Sequence, residues 1–252
     1  NSSSGKSLDQ VITHEVGHNW FYGVLASNER DHPWLDEGLN SYYEHRYMVQ
    51  YYGSDGADDM LPRWAFNPRE SGSVAENAYL MLAREGIDMP PDTHADEFWS
   101  IAYGVQVYMK TAKCLEWLER SVGKARFDNA MQAYYRTWKF RHPYPEDLRA
   151  VWDETGLNAG WFFQTMQTRR RFDLALTRVR HSGDSVQLTV RDRGNLAAPY
   201  SITALRDGQP VQTFWFQAPA KGKTTLTVPD AGADLFVLDH ERATLDFNRK
   251  NN

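Results

Sequence analysis

His14-Glu15-Val16-Gly17-His18 constrains this chain more tightly than any other stretch of it. Two histidines four residues apart share one face of an α-helix, so both imidazoles can reach a single metal ion. Glu15 lies about 100° around the same helix from His14, beside such an ion rather than on it, where a carboxylate can hold a water. The pattern therefore demands a helix. That helix is expected to begin at Ser7, which forms a capping-box pair with Gln10, and to run through VITHEVGHNWFYGVL to Leu25.

Two histidines do not complete a catalytic zinc site, which takes three protein ligands and keeps one position open. The HExxHxxGxxH solution fails, because Phe21 and Val24 stand where it needs glycine and histidine. Trp34-Leu35-Asp36-Glu37-Gly38 supplies the alternative: eighteen residues separate His18 from Glu37, enough for a loop and a second helix returning alongside the first. His14, His18 and Glu37 are thus the expected ligands of one Zn2+ per chain, with Glu15 as the catalytic carboxylate. Glu44, seven residues after Glu37, shares its helical face and is assigned to orient a ligand histidine. Asp36 is read as a helix cap pointing away from the metal, and His32, His45 and His142 as structural histidines.

Periodicity divides the remainder into two regions. Up to about residue 168 the apolar pattern is mainly helical: residues 37–52, 103–122, 127–140 and 145–156 each read as helices, with Gly53, Gly123 and Gly156 as stops. Residues 54–100 read as irregular apart from VAENAYLMLAR. On the 103–122 helix, Tyr108, Ala112, Leu115, Leu118 and Val122 fall at spacings of three and four, which places Tyr108 on the core stripe. From about residue 172 the period becomes two, as in Val186, Leu188 and Val190, and Asp207-Gly208 signals a hairpin turn. About seven short strands are expected there, as in an immunoglobulin-like β-sandwich.

Composition excludes several classes. A net charge of −5 and a pI near 5.9 provide no basic footprint for nucleic acid. No apolar run approaches the roughly 18 to 20 residues of a transmembrane segment. Cys114, the single cysteine, sits in an apolar helical pattern and reads as a buried thiol. SSSGKS does not make a nucleotide-binding loop, because no strand leads into it. Arg169, Arg170 and Arg171 read as a solvated charge run between the two regions.

HEVGHNWFYG followed by DHPWLDEGLNSYYEHRY resembles the aminopeptidase N family of gluzincins, which includes leukotriene hydrolase. That family places its third ligand in W-L-x-E-G, matched here by Trp34, Leu35, Glu37 and Gly38, with Asp31 and Glu44 matching flanking acids. Val107-Tyr108-Met109-Lys110-Thr111-Ala112 is similar to the family's V-Y-x-K-G-A helix, with Thr111 in place of glycine. The resemblance makes Tyr108 the transition-state tyrosine, with Tyr103 in reserve. It covers roughly residues 8–168.

What the resemblance implies is a mainly α-helical, thermolysin-like (gluzincin) catalytic domain over residues 1–170, followed by the β-sandwich over 172–252. The implied activity is that of a zinc-dependent aminopeptidase, hydrolysing N-terminal residues from peptides with metal-activated water. The alternatives are a zinc endopeptidase on the same scaffold or a catalytically idle gluzincin scaffold. The family's G-x-M-E-N motif, which binds the substrate amine, has no match in the thirteen residues before His14. An upstream N-terminal domain of a longer polypeptide is therefore expected.

Overall fold

A computed structural model describes residues 2–53, 73–219 and 221–251. Two compact units divide at residues 169 and 170, Asn1–Arg169 and Arg170–Asn252. Within the described residues of the first unit lie α1 (Ser2–Gly17), α2 (Glu37–Tyr52), α3 (Val74–Arg84), α4 (Ser100–Tyr103), a π-helical segment (Gly104–Lys110), α5 (Thr111–Val122), α6 (Lys124–Trp138), α7 (Pro145–Glu154) and α8 (Gly160–Gln167). Short 3-10 turns at Pro33–Leu35 and Ala95–Glu97 complete it.

α1 both starts and stops earlier than its sequence suggests. It is already helical at Ser2, since serine and glycine cost a helix only about 1 kcal/mol or less per residue and Ser7 need not be its boundary. It ends at Gly17 instead of continuing to Leu25. Side chains cause the break: Asn19 Nδ2 donates to the Val16 carbonyl at 2.7 Å, competing with the helical ladder. The Trp20 amide then reaches back only three residues, to Gly17, and Tyr22 adopts a left-handed backbone with φ 83°. Asn40 packs so closely on Gly17 that a β-carbon there would lie 1.9 Å from its Oδ1.

α2 begins at Glu37 and stops at Gly53, whose φ of 76° suits a residue without a β-carbon. The helices enclose an aromatic core in which Trp34, Trp117, Trp152, Tyr42, Tyr134, Phe127 and Phe162 are fully buried. Trp152 and Phe162 pack edge to face at 5.3 Å, and Trp34 meets Phe162 at 5.6 Å. Each such burial stabilises by about 1.5–3 kcal/mol, and those at Trp34 anchor the turn that leads into α2. The Trp34 indole also donates to Asp92, 2.7 Å away, which binds His32 as well.

Residues 54–72 lie outside the described residues, and 74–84 form α3, with the Ser73 hydroxyl accepting from the Glu76 amide. Cys114 is fully buried, and burial pushes its thiol up to about 12. Arg169 is exposed, as a solvated charge should be, and it is also paired: it donates to the Gly86 carbonyl and, at 3.1 Å, to the carboxylate of buried Asp88. Among the described residues no helix is long and apolar enough to cross a membrane.

The second unit has six described strands, one fewer than expected: β1 (Leu174–Ser182), β2 (Ser185–Asp192), β3 (Tyr200–Arg206), β4 (Gln209–Phe216), β5 (Lys223–Pro229) and β6 (Leu235–Leu238). They form two antiparallel three-stranded sheets, β1-β2-β5 and β4-β3-β6. Val186, Leu188 and Val190 are buried on alternate positions of β2, as period two requires. Asp207 and Gly208 both adopt positive φ, the type I′ turn that joins β3 to β4.

Candidate metal centre

α1 presents His14 from its last turn and His18 from the first residue beyond its end, while Glu37 opens α2. Three ligand atoms converge. His14 Nε2 lies 3.1 Å from Glu37 Oε2, His18 Nε2 lies 3.3 Å from the same oxygen, and the two Nε2 atoms are 3.2 Å apart. A tetrahedral zinc with bonds of about 2.05 Å spaces neighbouring donors about 3.3 Å apart. The near-equilateral triangle therefore has the size of one face of such a tetrahedron, and its donor set, two imidazoles and a carboxylate, suits that ion.

Each imidazole turns its other nitrogen to a carboxylate. His14 Nδ1 lies 2.8 Å from Glu44 Oε2, and Gln10 Nε2 donates to the other Glu44 oxygen at 2.5 Å. Glu44 and Gln10 are both buried. His18 Nδ1 lies 2.8 Å from Asp36 Oδ1. Asp36 occupies the N-cap position of α2, but its side chain makes no capping hydrogen bond and points toward the cluster rather than away from it. The reading of Asp36 as an outward cap is thereby corrected. Gln10 carried a usable signal, since it stands four residues before His14 on the same face of α1.

Burial and charge act in opposition here. Burial pulls the His14 imidazole down, yet hydrogen bonds with Glu37 and Glu44 prevail and push it up to about 9. Burial raises Glu37, but His14 and Tyr108 outweigh it and hold the carboxylate low. Burial pushes Asp36 upward against the pull of His18.

Tyr108 is not on the core stripe. It stands in the π-helical segment, whose extra residue per turn shifts the register between α4 and α5. Val107, Lys110, Thr111, Cys114 and Leu118 take the buried positions, while the half-buried Tyr108 ring stacks on His14 at a centroid distance of 5.8 Å. Its hydroxyl hydrogen-bonds Glu37, and burial together with that bond raises the phenol far above its ordinary range. Tyr103 meets Tyr108 edge to face at 5.8 Å and is pushed by burial up to about 12. Glu15 is exposed on α1. His32, His45 and His142 are outside the triangle; His142 Nδ1, for instance, lies 2.9 Å from the Ala26 carbonyl.

Residues 1–166 match the Peptidase family M1 domain. The chain belongs to peptidase family M1. Among relatives in this family it is similar to leucine aminopeptidase 2 of Neurospora crassa, 29% identical over 141 residues, covering 54% of this chain and 20% of that protein. It is also similar to a leukotriene A-4 hydrolase homolog of Botryotinia fuckeliana, 29% identical over 145 residues, covering 56% and 21%. The match thus spans about a fifth of the length of these relatives. Legionella pneumophila aminopeptidase A, solved in complex with aspartic acid, shares the fold: TM-score 0.68 at 14% identity, covering 94% of this chain and 26% of that one.

Proposed function

We propose that this chain carries the metal- and water-handling residues of a zinc-dependent aminopeptidase. The carrying observation is the triangle of His14 Nε2, His18 Nε2 and Glu37 Oε2, 3.1–3.3 Å on a side, with each imidazole backed by a carboxylate. His14, His18 and Glu37 would hold one zinc ion, which polarises the scissile carbonyl and makes water acidic when bound. The names of the M1 relatives support peptide substrates and the aminopeptidase assignment.

This chain's own groups do the proton work. Glu15 accepts a proton from the attacking water and delivers it to the leaving amine. Nothing else among the described residues engages its carboxylate, and its place one residue after His14 sets it beside the ligand cluster. Tyr108 keeps its proton and donates a hydrogen bond to the oxyanion of the tetrahedral intermediate, exchanging Glu37 for the substrate. Glu44 and Gln10 hold His14 in the tautomer whose Nε2 lone pair faces the triangle. We read the second unit as an immunoglobulin-like sandwich on the strength of its pairings: β2 with β5 and β3 with β6 are the long-range antiparallel links of a Greek key.

The test is an assay of the full-length protein on one peptide with a free and with an acetylated N-terminus, each with and without chelator. Chelator-sensitive cleavage of the free form alone is the expected result. Cleavage of both forms replaces the aminopeptidase reading with an endopeptidase, and zinc binding without turnover on either leaves the idle scaffold.

A further inference from the structure

We propose that Asp36 is the positioning residue for His18, doing for that imidazole what helical backbone and Glu44 do together for His14. The inference rests on the reading of His14, His18 and Glu37 as metal ligands.

The two histidines are supported unequally. His14 lies inside α1, its carbonyl accepts from Asn40 Nδ2 at 2.8 Å, and its ring is backed by the buried Gln10–Glu44 pair. His18 follows the last helical residue, Gly17, where the chain leaves the helix. Its carbonyl accepts from the Gly23 amide at 2.9 Å, five residues on, so the α-helical bond from residue 22 is not made there. Its side chain is also the more exposed of the two, 21% against 14%. The Asp36 carboxylate, 2.8 Å from Nδ1, is what remains to choose the ring's tautomer and rotation.

Asp36 is well placed for this. Its main chain is held by the amide bond to the Pro33 carbonyl and by its own carbonyl, which accepts from the Asn40 amide at 3.0 Å. Asp36 itself is only 3% exposed. The side chain stands where a helix N-cap belongs yet makes no capping bond, so the α2 N-terminus forgoes a stabilising contact and the carboxylate goes to His18. Because Glu37 is the next residue, one peptide unit fixes both the third ligand and the orienter of the second. Carboxylates backing ligand histidines fix the tautomer and raise ligand basicity, and losing one typically weakens metal affinity about 10- to 100-fold.

The experiment uses the full chain with 15N-labelled histidine and measures zinc Kd by competition with a chromophoric chelator. In the metal-free protein, long-range proton–nitrogen spectra should show neutral His18 as the Nδ1–H tautomer; the Nε2–H tautomer overturns the inference without any variant. D36L, which keeps the branched shape and loses the acceptor, should raise the zinc Kd by about tenfold or more and abolish the tautomer preference. D36N retains an acceptor oxygen and should keep the tautomer with a smaller change in Kd. Wild-type zinc Kd and tautomer in a folded D36L overturn the proposal. H18A separates the two readings: if H18A also binds zinc normally, the ligand assignment itself has failed, whereas loss in H18A with normal D36L removes Asp36 alone.

Discussion

Gly38 and Thr111 touch: a β-carbon built at position 38 would lie 2.4 Å from Thr111 Cγ2 and 2.8 Å from the Val107 carbonyl. The residue after Glu37 is thereby pressed against the start of α5, and the π-helical segment carrying Tyr108 is pinned to the helix carrying the carboxylate. Thr111 donates through its hydroxyl to the Gln106 carbonyl at 3.2 Å inside that segment. Its side chain is accommodated because position 38 has none.

Gly38→Ala should therefore destabilise the protein by about 1–3 kcal/mol through overpacking. Thr111→Gly in the same chain removes the side-chain part of the clash but leaves the Val107 carbonyl in place, so the double variant should recover part of the loss. Urea melts of the four-member cycle measure the coupling. A purely additive cycle would contradict the contact.

Glu15→Gln and Tyr108→Phe should separate proton transfer from metal binding. The first should lower kcat by about 10²–10⁴-fold and the second by about 10²–10³-fold, both with unchanged zinc content by elemental analysis. His18→Ala, in contrast, should lose the metal. Near-normal turnover in Glu15→Gln would end the assignment of that carboxylate as the base.

Metal loading should release a proton. Hydrogen bonds with Glu37 and Glu44, prevailing over burial, push the His14 imidazole up to about 9, so it is protonated at neutral pH in the metal-free chain. Zinc requires its Nε2 lone pair. At pH 7.5 titration calorimetry in buffers of different ionisation enthalpy should therefore report about one proton released, and affinity should rise about tenfold per pH unit until about pH 9. Binding with no proton release would mean that His14 stays outside the coordination shell.

The second unit should lose stability on going from mildly acidic to neutral pH at one buried acid. Burial pushes Asp246 from 3.8 up to about 6, against the pull of the Asn248 amide and Arg249. A carboxyl raised in the folded state adds stability that is complete below about pH 4 and is lost as pH rises through about 6. The unfolding free energy should fall by about 2–3 kcal/mol across that window relative to Asp246→Asn, which has no proton to lose. Parallel pH profiles for the two proteins would refute it.

Local pattern carried much of this molecule. The four-residue spacing of His14 and His18, the glycine stops at Gly53, Gly123 and Gly156, and the alternation along β2 are consequences of helix and strand geometry that neighbours in sequence already specify. An acid before a helix reads as an ordinary cap, and only the return of His18 from a different element reveals the other use of Asp36. Tyr108 leaves the core stripe because three-and-four spacing assumes an α-helix, and the π-helical turn breaks that count. The pairing of exposed Arg169 with Asp88 is not legible in the sequence, because the two residues stand 81 positions apart.

By itself, the sequence determined which chemical groups could meet: two imidazoles on one helical face, a carboxylate separated from them by eighteen residues, and a change of period near residue 172. Tertiary structure decided the rest. It packed Asn40 of α2 against Gly17, aimed Asp36 at His18, and rolled Tyr108 out of the core onto His14. The physical reason is range: spacing sets direction within one element, whereas the tautomer and rotamer of a site residue are set by what another element brings within about 3 Å.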